Sequence, residues 1–168
     1  SVGATGMDSM YFENIMAELV ANIKGCGNPL YLRRCLKNSR MLSSDVSAGY
    51  DPNFAGVFEK NNASIVGNGM TFNKFTGSRG KSGSSDANAE EGAEGRGILD
   101  KDEVAFQTAE LGRVDLGGGG TIAYTMANRN IPTVDAGVPV LSMHAPFEIV
   151  SKLDTYMIML ACKAVYNS

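Results

Sequence analysis

Val138-Pro-Val-Leu-Ser-Met-His144-Ala-Pro-Phe-Glu148 runs from an apolar stretch into the only histidine of the chain, and a proline follows two residues later. A buried strand that stops this way brings one side chain to the rim of a sheet, where α/β folds usually meet their ligands. Histidine is the commonest protein metal ligand and a frequent acid–base group, so His144 is the first candidate for chemistry. By position alone a bland role, satisfied in the core or on the surface, is the commoner one for such a histidine.

Working outward, strand-like and helix-like stretches alternate. Asp8 or Ser9 is placed to cap a helix over residues 9–24, with Phe12, Ile15, Met16, Leu19 and Ile23 on one face and Gly25 after it. That stripe is expected to be core. Residues 29–37 carry Arg33 and Arg34 and are expected to be a connection. Residues 39–45 predict a short strand whose end presents Asp45, and Asp51-Pro-Asn-Phe54 is turn chemistry. A turn and strand over 67–75, a flexible Gly/Ser segment over 76–85 and a helix over 87–99 capped by Asp86 come next. A strand over 104–107, a glycine loop over 112–120 and a helix over 121–128 follow. Two strands, over 131–135 and leading to His144, precede a last helix capped by Ser151 with Leu153, Tyr156, Met157, Leu160 and Ala164 as its apolar stripe. The alternation indicates an α/β sheet covered on both faces.

At 168 residues the chain can form one domain spanning 1–168 with a real core, burying roughly 70% of its unfolded surface. A net charge of −3 without a basic cluster argues against nucleic-acid binding. No apolar run approaches the roughly 20 residues needed to span a membrane. Three irregularly spaced cysteines, Cys26, Cys35 and Cys162, are expected to be reduced thiols of a cytoplasmic protein. The opening, Ser1-Val-Gly-Ala-Thr-Gly6, has neither the basic nor the apolar region of a secretion signal, so Asn62-Ala-Ser64 is treated as a chance sequon. It also lacks an initiator methionine, and the chain is expected to be a piece of something longer.

Two glycine-rich segments invite a nucleotide-binding reading. Gly80-Lys-Ser82 ends like a P-loop, but the glycine required five residues earlier is Phe75. Gly118-Gly-Gly120-Thr-Ile-Ala123 matches a loose dinucleotide fingerprint, yet a short polar segment precedes it and Asp135 lies too near to be its ribose-binding acid. The glycine run serves as well to let backbone approach a ligand closely, or simply to pack.

Taken together, Ser43-Ser-Asp45-Val, Asp51-Pro-Asn-Phe54, the segment from Lys74 to Asn88, Gly112-Arg-Val-Asp-Leu-Gly-Gly-Gly-Gly-Thr-Ile-Ala123 and Leu141-Ser-Met-His144-Ala-Pro-Phe-Glu148 resemble one family. It is the aspartyl aminopeptidase and aminopeptidase I family of zinc exopeptidases, its bacterial branch most closely. The resemblance runs in order over nearly the whole chain. It implies an α/β/α sandwich of the zinc-peptidase type, here a partial domain corresponding to the C-terminal portion of the catalytic domain. It also implies peptide substrates, no nucleic-acid or membrane partner, and assembly into homo-oligomers (dodecamers in the family).

The family site holds two zinc ions with two histidines, two aspartates and a glutamate, beside a glutamate that acts as general base. By this resemblance Asp45 matches the terminal aspartate ligand of one zinc and His144 the histidine ligand of the other. Carboxylate and neutral imidazole are ordinary zinc donors, and other divalent metals would suit them too. Lys74 resembles a lysine beside the substrate pocket, and Gly119, Gly120 and Thr121 resemble the loop that lines it. The family's other ligands, its general base and its assembly insert match nothing here and are expected upstream. Ala48 and Asp51 stand where the eukaryotic branch carries histidines, which leaves substrate preference open. The resemblance thus implies a zinc-dependent aminopeptidase whose fragment is expected to be inactive alone. The competing expectation is a non-catalytic or truncated assembly module that keeps the fold without metal.

Overall fold

The computed structural model describes residues 2–76 and 85–168. The elements are α1 (Tyr11–Lys24), α2 (Pro29–Lys37), β1 (Met41–Ala48), β2 (Met70–Phe75), α3 (Ala89–Lys101), β3 (Phe106–Glu110), α4 (Ala123–Ala127), β4 (Thr133–Leu141), β5 (Ile149–Val150) and α5 (Lys152–Tyr166). The strands form one sheet in the order β1-β4-β2-β3, with β5 also paired to β4. β1 and β4 are parallel, as are β2 and β3, whereas β2 and β5 both run antiparallel to β4.

Alternation along each strand builds two layers on this sheet. From β2 and β4, Met70, Phe72, Ala136 and Val138 face α3 and α5, where Leu99, Ile158, Ala161 and Ala164 close the main core. On the opposite face Leu36, Met126 and Ile131 gather Met7, Phe12, Met16, Leu32 and Met41 into a smaller cluster under α1, α2 and α4. Arg129 straps that layer together. It donates to Thr125 O (2.7 Å) and Ser9 O (2.9 Å) and pairs with Glu13 at 3.3 Å. This is the expected α/β/α sandwich.

Several details depart from the sequence reading. Residues 29–37 are a helix, not a connection: Asn28 Oδ1 accepts from Leu30 N–H at 2.9 Å, and Pro29 occupies the first turn, where its missing N–H costs nothing. The α1 stripe is only half core. Phe12 and Met16 pack inward, but Ile15, Leu19 and Ile23 stay exposed because α2 covers one side of the helix alone. The two strands expected over 131–144 are one continuous strand, β4, and β5 was not anticipated. The last helix is capped as expected, Ser151 Oγ accepting from Leu153 N–H at 3.2 Å. Its inward face, however, is Asp154, Ile158, Ala161 and Ala164, while Leu153 and Tyr156 lie outside. The Gly/Ser segment and the Gly80-Lys-Ser82 sequence lie outside the described residues, apart from the ends at Thr76 and Ser85.

Asp154 is fully buried and holds both carboxylate oxygens against backbone, accepting from Gly67 N–H (2.7 Å) and Gly69 N–H (2.8 Å). It pins the turn that starts β2 to the first turn of α5.

Candidate metal centre

β1 does not stop at Asp45. It continues to Ala48, with Asp45 in register with Gly137 of β4. The carboxylate is exposed, and one oxygen accepts from Val46 N–H at 2.8 Å. The residue shares its strand face with Ser43 and Ser47, both buried, and Ser47 Oγ donates to Asn73 Oδ1 of β2 at 3.0 Å. Asp45 is therefore the solvent-facing member of a polar row, not the tip of a strand.

His144 comes three residues after β4 ends. Ser142 and His144 both adopt left-handed backbone (φ 58° and 68°), which turns the chain sharply beyond the strand. His144 N–H donates to Glu148 Oε1 at 2.5 Å, closing the turn and leaving the side chain exposed. Gly137, opposite Asp45, precedes Leu141 by about 13 Å of strand. Asp45 and His144 therefore stand at different levels of the sheet. Among the described residues no three His, Cys, Asp or Glu side chains converge to hold a metal ion.

Thr121, Gly119 and Gly120 sit where the glycine loop meets α4. The loop is packed rather than open: Arg113 N–H donates to Val57 O at 2.8 Å, and a β-carbon at Gly117 would lie 2.2 Å from that same oxygen. At Gly119 the surrounding space is free. Thr121 Oγ1 accepts from Ala123 N–H (3.3 Å) and donates to Asp135 Oδ2 (3.1 Å). Lys74 stands apart from this group. It pairs with Asp86 and lines a cavity of about 270 Å³ with Phe72 and the first turns of α3.

The residue that sequence reasoning passed over is Asp135, considered only as a failed ribose acid. It is 4% exposed, and Thr76 Oγ1 donates to Oδ2 at 3.4 Å beside the Thr121 contact. Oδ1 makes no hydrogen bond of standard geometry, although the Ser43 hydroxyl lies near enough to favour the charged form. Burial pushes the carboxyl above its ordinary value of 3.8. The hydroxyls of Ser43, Thr121 and Thr76 pull it back, and the charge of Asp45 adds to the rise.

A proton binds the folded protein more tightly than the unfolded chain between pH 3.8 and the raised value, so stability falls as pH rises through that window. In metal-free protein, Asp135→Asn should remove this loss and raise stability near neutrality, with no gain below the ordinary value of 3.8. Urea unfolding at a series of pH values checks it; a gain that does not change with pH would contradict it.

The family model for the aminopeptidase I zinc metalloproteases, M18, matches residues 1–166. The chain belongs to the M18 family. A probable M18 aminopeptidase of Clostridium acetobutylicum is 56% identical over 156 residues, covering 93% of this chain and 33% of that protein. One from Borreliella burgdorferi is 44% identical over 168 residues, covering 99% and 37%. The solved M18 aminopeptidase of Thermotoga maritima superposes with a TM-score of 0.92 at 36% identity, covering 98% of this chain and 37% of that one. A yeast aminopeptidase dodecamer, at 19% identity and TM-score 0.72, shares the fold. This M18 chain spans about a third of the length of the curated relatives it matches.

The donor types fit the family's metal. Asp45 offers an exposed carboxylate and His144 an exposed imidazole, both ordinary zinc ligands. They fit in kind and fall short in number, since no cluster of three such side chains occurs among the described residues.

Proposed function

We propose that this chain forms one part of a zinc-dependent aminopeptidase that removes N-terminal residues from peptides. The observation that carries this is the family match over 1–166 in a chain that keeps a carboxylate and an imidazole exposed at the two donor positions. Asp45 and His144 would each hold one of two metal ions. Zinc, when bound, lowers the pKa of a metal-bound water and polarises the substrate carbonyl.

The remaining roles belong to this chain's own residues. Glu148 fixes the His144 turn, so the imidazole is presented in one backbone conformation. The glycine loop, packed at Gly117 and open at Gly119, brings Gly119, Gly120 and Thr121 to the substrate side, where backbone N–H groups orient a carbonyl. Lys74, paired with Asp86, would take part in substrate binding only by exchanging that partner for a substrate group. The general base and other ligands are contributed by chain beyond these residues, and this segment alone is inactive. The family likeness also supports a homo-oligomer. Three free cysteines suit a reducing, cytoplasmic setting, and no helix among the described residues is long and apolar enough to cross a membrane.

The test is zinc content and hydrolysis of amino-acid nitroanilides by the protein at its natural length. About two zinc ions per protomer and activity abolished by a chelator are expected. Absence of both at natural length would leave the non-catalytic assembly reading in its place.

A further inference from the structure

Asp135 is costly to keep. A buried carboxylate with one oxygen unpaired, served only by neutral hydroxyls and close to a second acid, opposes folding unless its geometry is used. Its contacts show where that geometry goes. Oδ2 accepts from Thr121, the last residue of the glycine loop, and from Thr76, just past the end of β2. Thr76 is itself tied to Ser85, its N–H donating to Ser85 O at 3.0 Å and its Oγ1 accepting from Ser85 N–H at 3.1 Å. Asp135 is also in register with Ser43, two residues before Asp45. One buried oxygen therefore joins two connecting segments to the strand pair that carries the metal-donor aspartate.

We infer that Asp135 is a positioning residue for substrate binding. It fixes the Gly117–Thr121 loop and the paired residues Thr76 and Ser85 relative to Asp45, without touching substrate. This rests on the aminopeptidase reading above, since only there does the loop have a substrate to meet. Asparagine keeps the acceptor, whereas alanine removes it, so the two substitutions separate anchoring from charge.

The experiment uses the protein at its natural length. Amide exchange of residues 117–121 is measured in parent, Asp135→Ala and Asp135→Asn, together with zinc content, KM and kcat. In Asp135→Ala, exchange of the loop amides should quicken at least about tenfold. KM should rise about tenfold, the lower end for loss of a supporting contact, with kcat within about threefold and zinc retained. Asp135→Asn should follow the parent in loop exchange and KM. A merely structural role would lower the unfolding midpoint and leave loop exchange and KM at the parent values; that result overturns the inference. So would equal effects from both substitutions, which would make charge the cause. If Asp135→Ala does not fold, Thr121→Val removes one of the same bonds at a partly exposed position, and the same rise in exchange and KM is expected. If the parent itself neither binds zinc nor hydrolyses peptides, the peptidase reading fails by that result, while the exchange comparison still decides whether Asp135 anchors the loop.

Discussion

Replacing His144 with alanine is expected to remove one zinc ion per protomer and to lower kcat/KM for an amino-acid nitroanilide by more than about 100-fold. Loss of a group that merely supports a metal ligand commonly costs 10–100-fold in affinity or activity, and loss of a ligand exceeds that. The fold should survive, because His144 is exposed and lies beyond the end of β4 in a turn closed through its own backbone N–H to Glu148. Left-handed backbone at this position is tolerated less well by alanine than by histidine or asparagine, so His144→Asn is the better control for the turn. Both variants should lose the same zinc while keeping the parent circular dichroism spectrum. Full zinc occupancy and unchanged hydrolysis in His144→Ala would remove His144 from the metal centre.

The largest effect on stability is expected at Gly69. Its φ is +89°, and a β-carbon there would lie 2.2 Å from the backbone oxygen of Ala105. That oxygen also accepts from Met70 N–H at 3.2 Å, and Gly69 N–H donates to buried Asp154 at 2.8 Å. Relief of the clash therefore means either separating the start of β2 from the chain before β3 or pulling an N–H away from a carboxylate with no water to replace it. Left-handed strain of about 1–2 kcal/mol and overpacking against rigid backbone of about 1–3 kcal/mol put Gly69→Ala on the order of 2–5 kcal/mol. That is a large share of a typical domain's stability. Gly27→Ala, at a position with open space around it, should change little. Urea midpoints of the two variants make the comparison, and a loss below about 1 kcal/mol at Gly69 would show that the turn shifts cheaply.

What could be read in advance divides along the range of the interactions involved. α5 was legible because its signals are local: Ser151 caps it, and apolar residues recur at helical spacing. α2 carried an equally local signal in Asn28-Pro29, but the charges of Arg33 and Arg34 outweighed it. β4 was divided in the sequence reading because Asp135, Gly137 and Pro139 interrupt its apolar run. In the fold these residues belong to the face where Asp135 meets two threonines, so the interruption marks the strand's polar side. Asp154 drew no attention in the sequence. Its partners, Gly67 and Gly69, lie far away in sequence, and no local pattern announces them. Asp45 and His144 were reached as proposed donors only through resemblance. Spacing along one chain does not reveal a centre whose other ligands are elsewhere.

The strand order has a consequence for how the chain is made. β1 and β2 do not pair with each other; β4 separates them, so Met41 finds its partner only when Thr133 arrives. Throughout synthesis of the intervening segment, β1 and the β2–β3 pair therefore lack the strand that joins them. Such distant parallel pairing is slow to nucleate, and open strand edges invite association with other chains. A ribosome-bound nascent chain halted before residue 133 should lean on chaperones, and release of that dependence should coincide with the emergence of β4 from the exit tunnel.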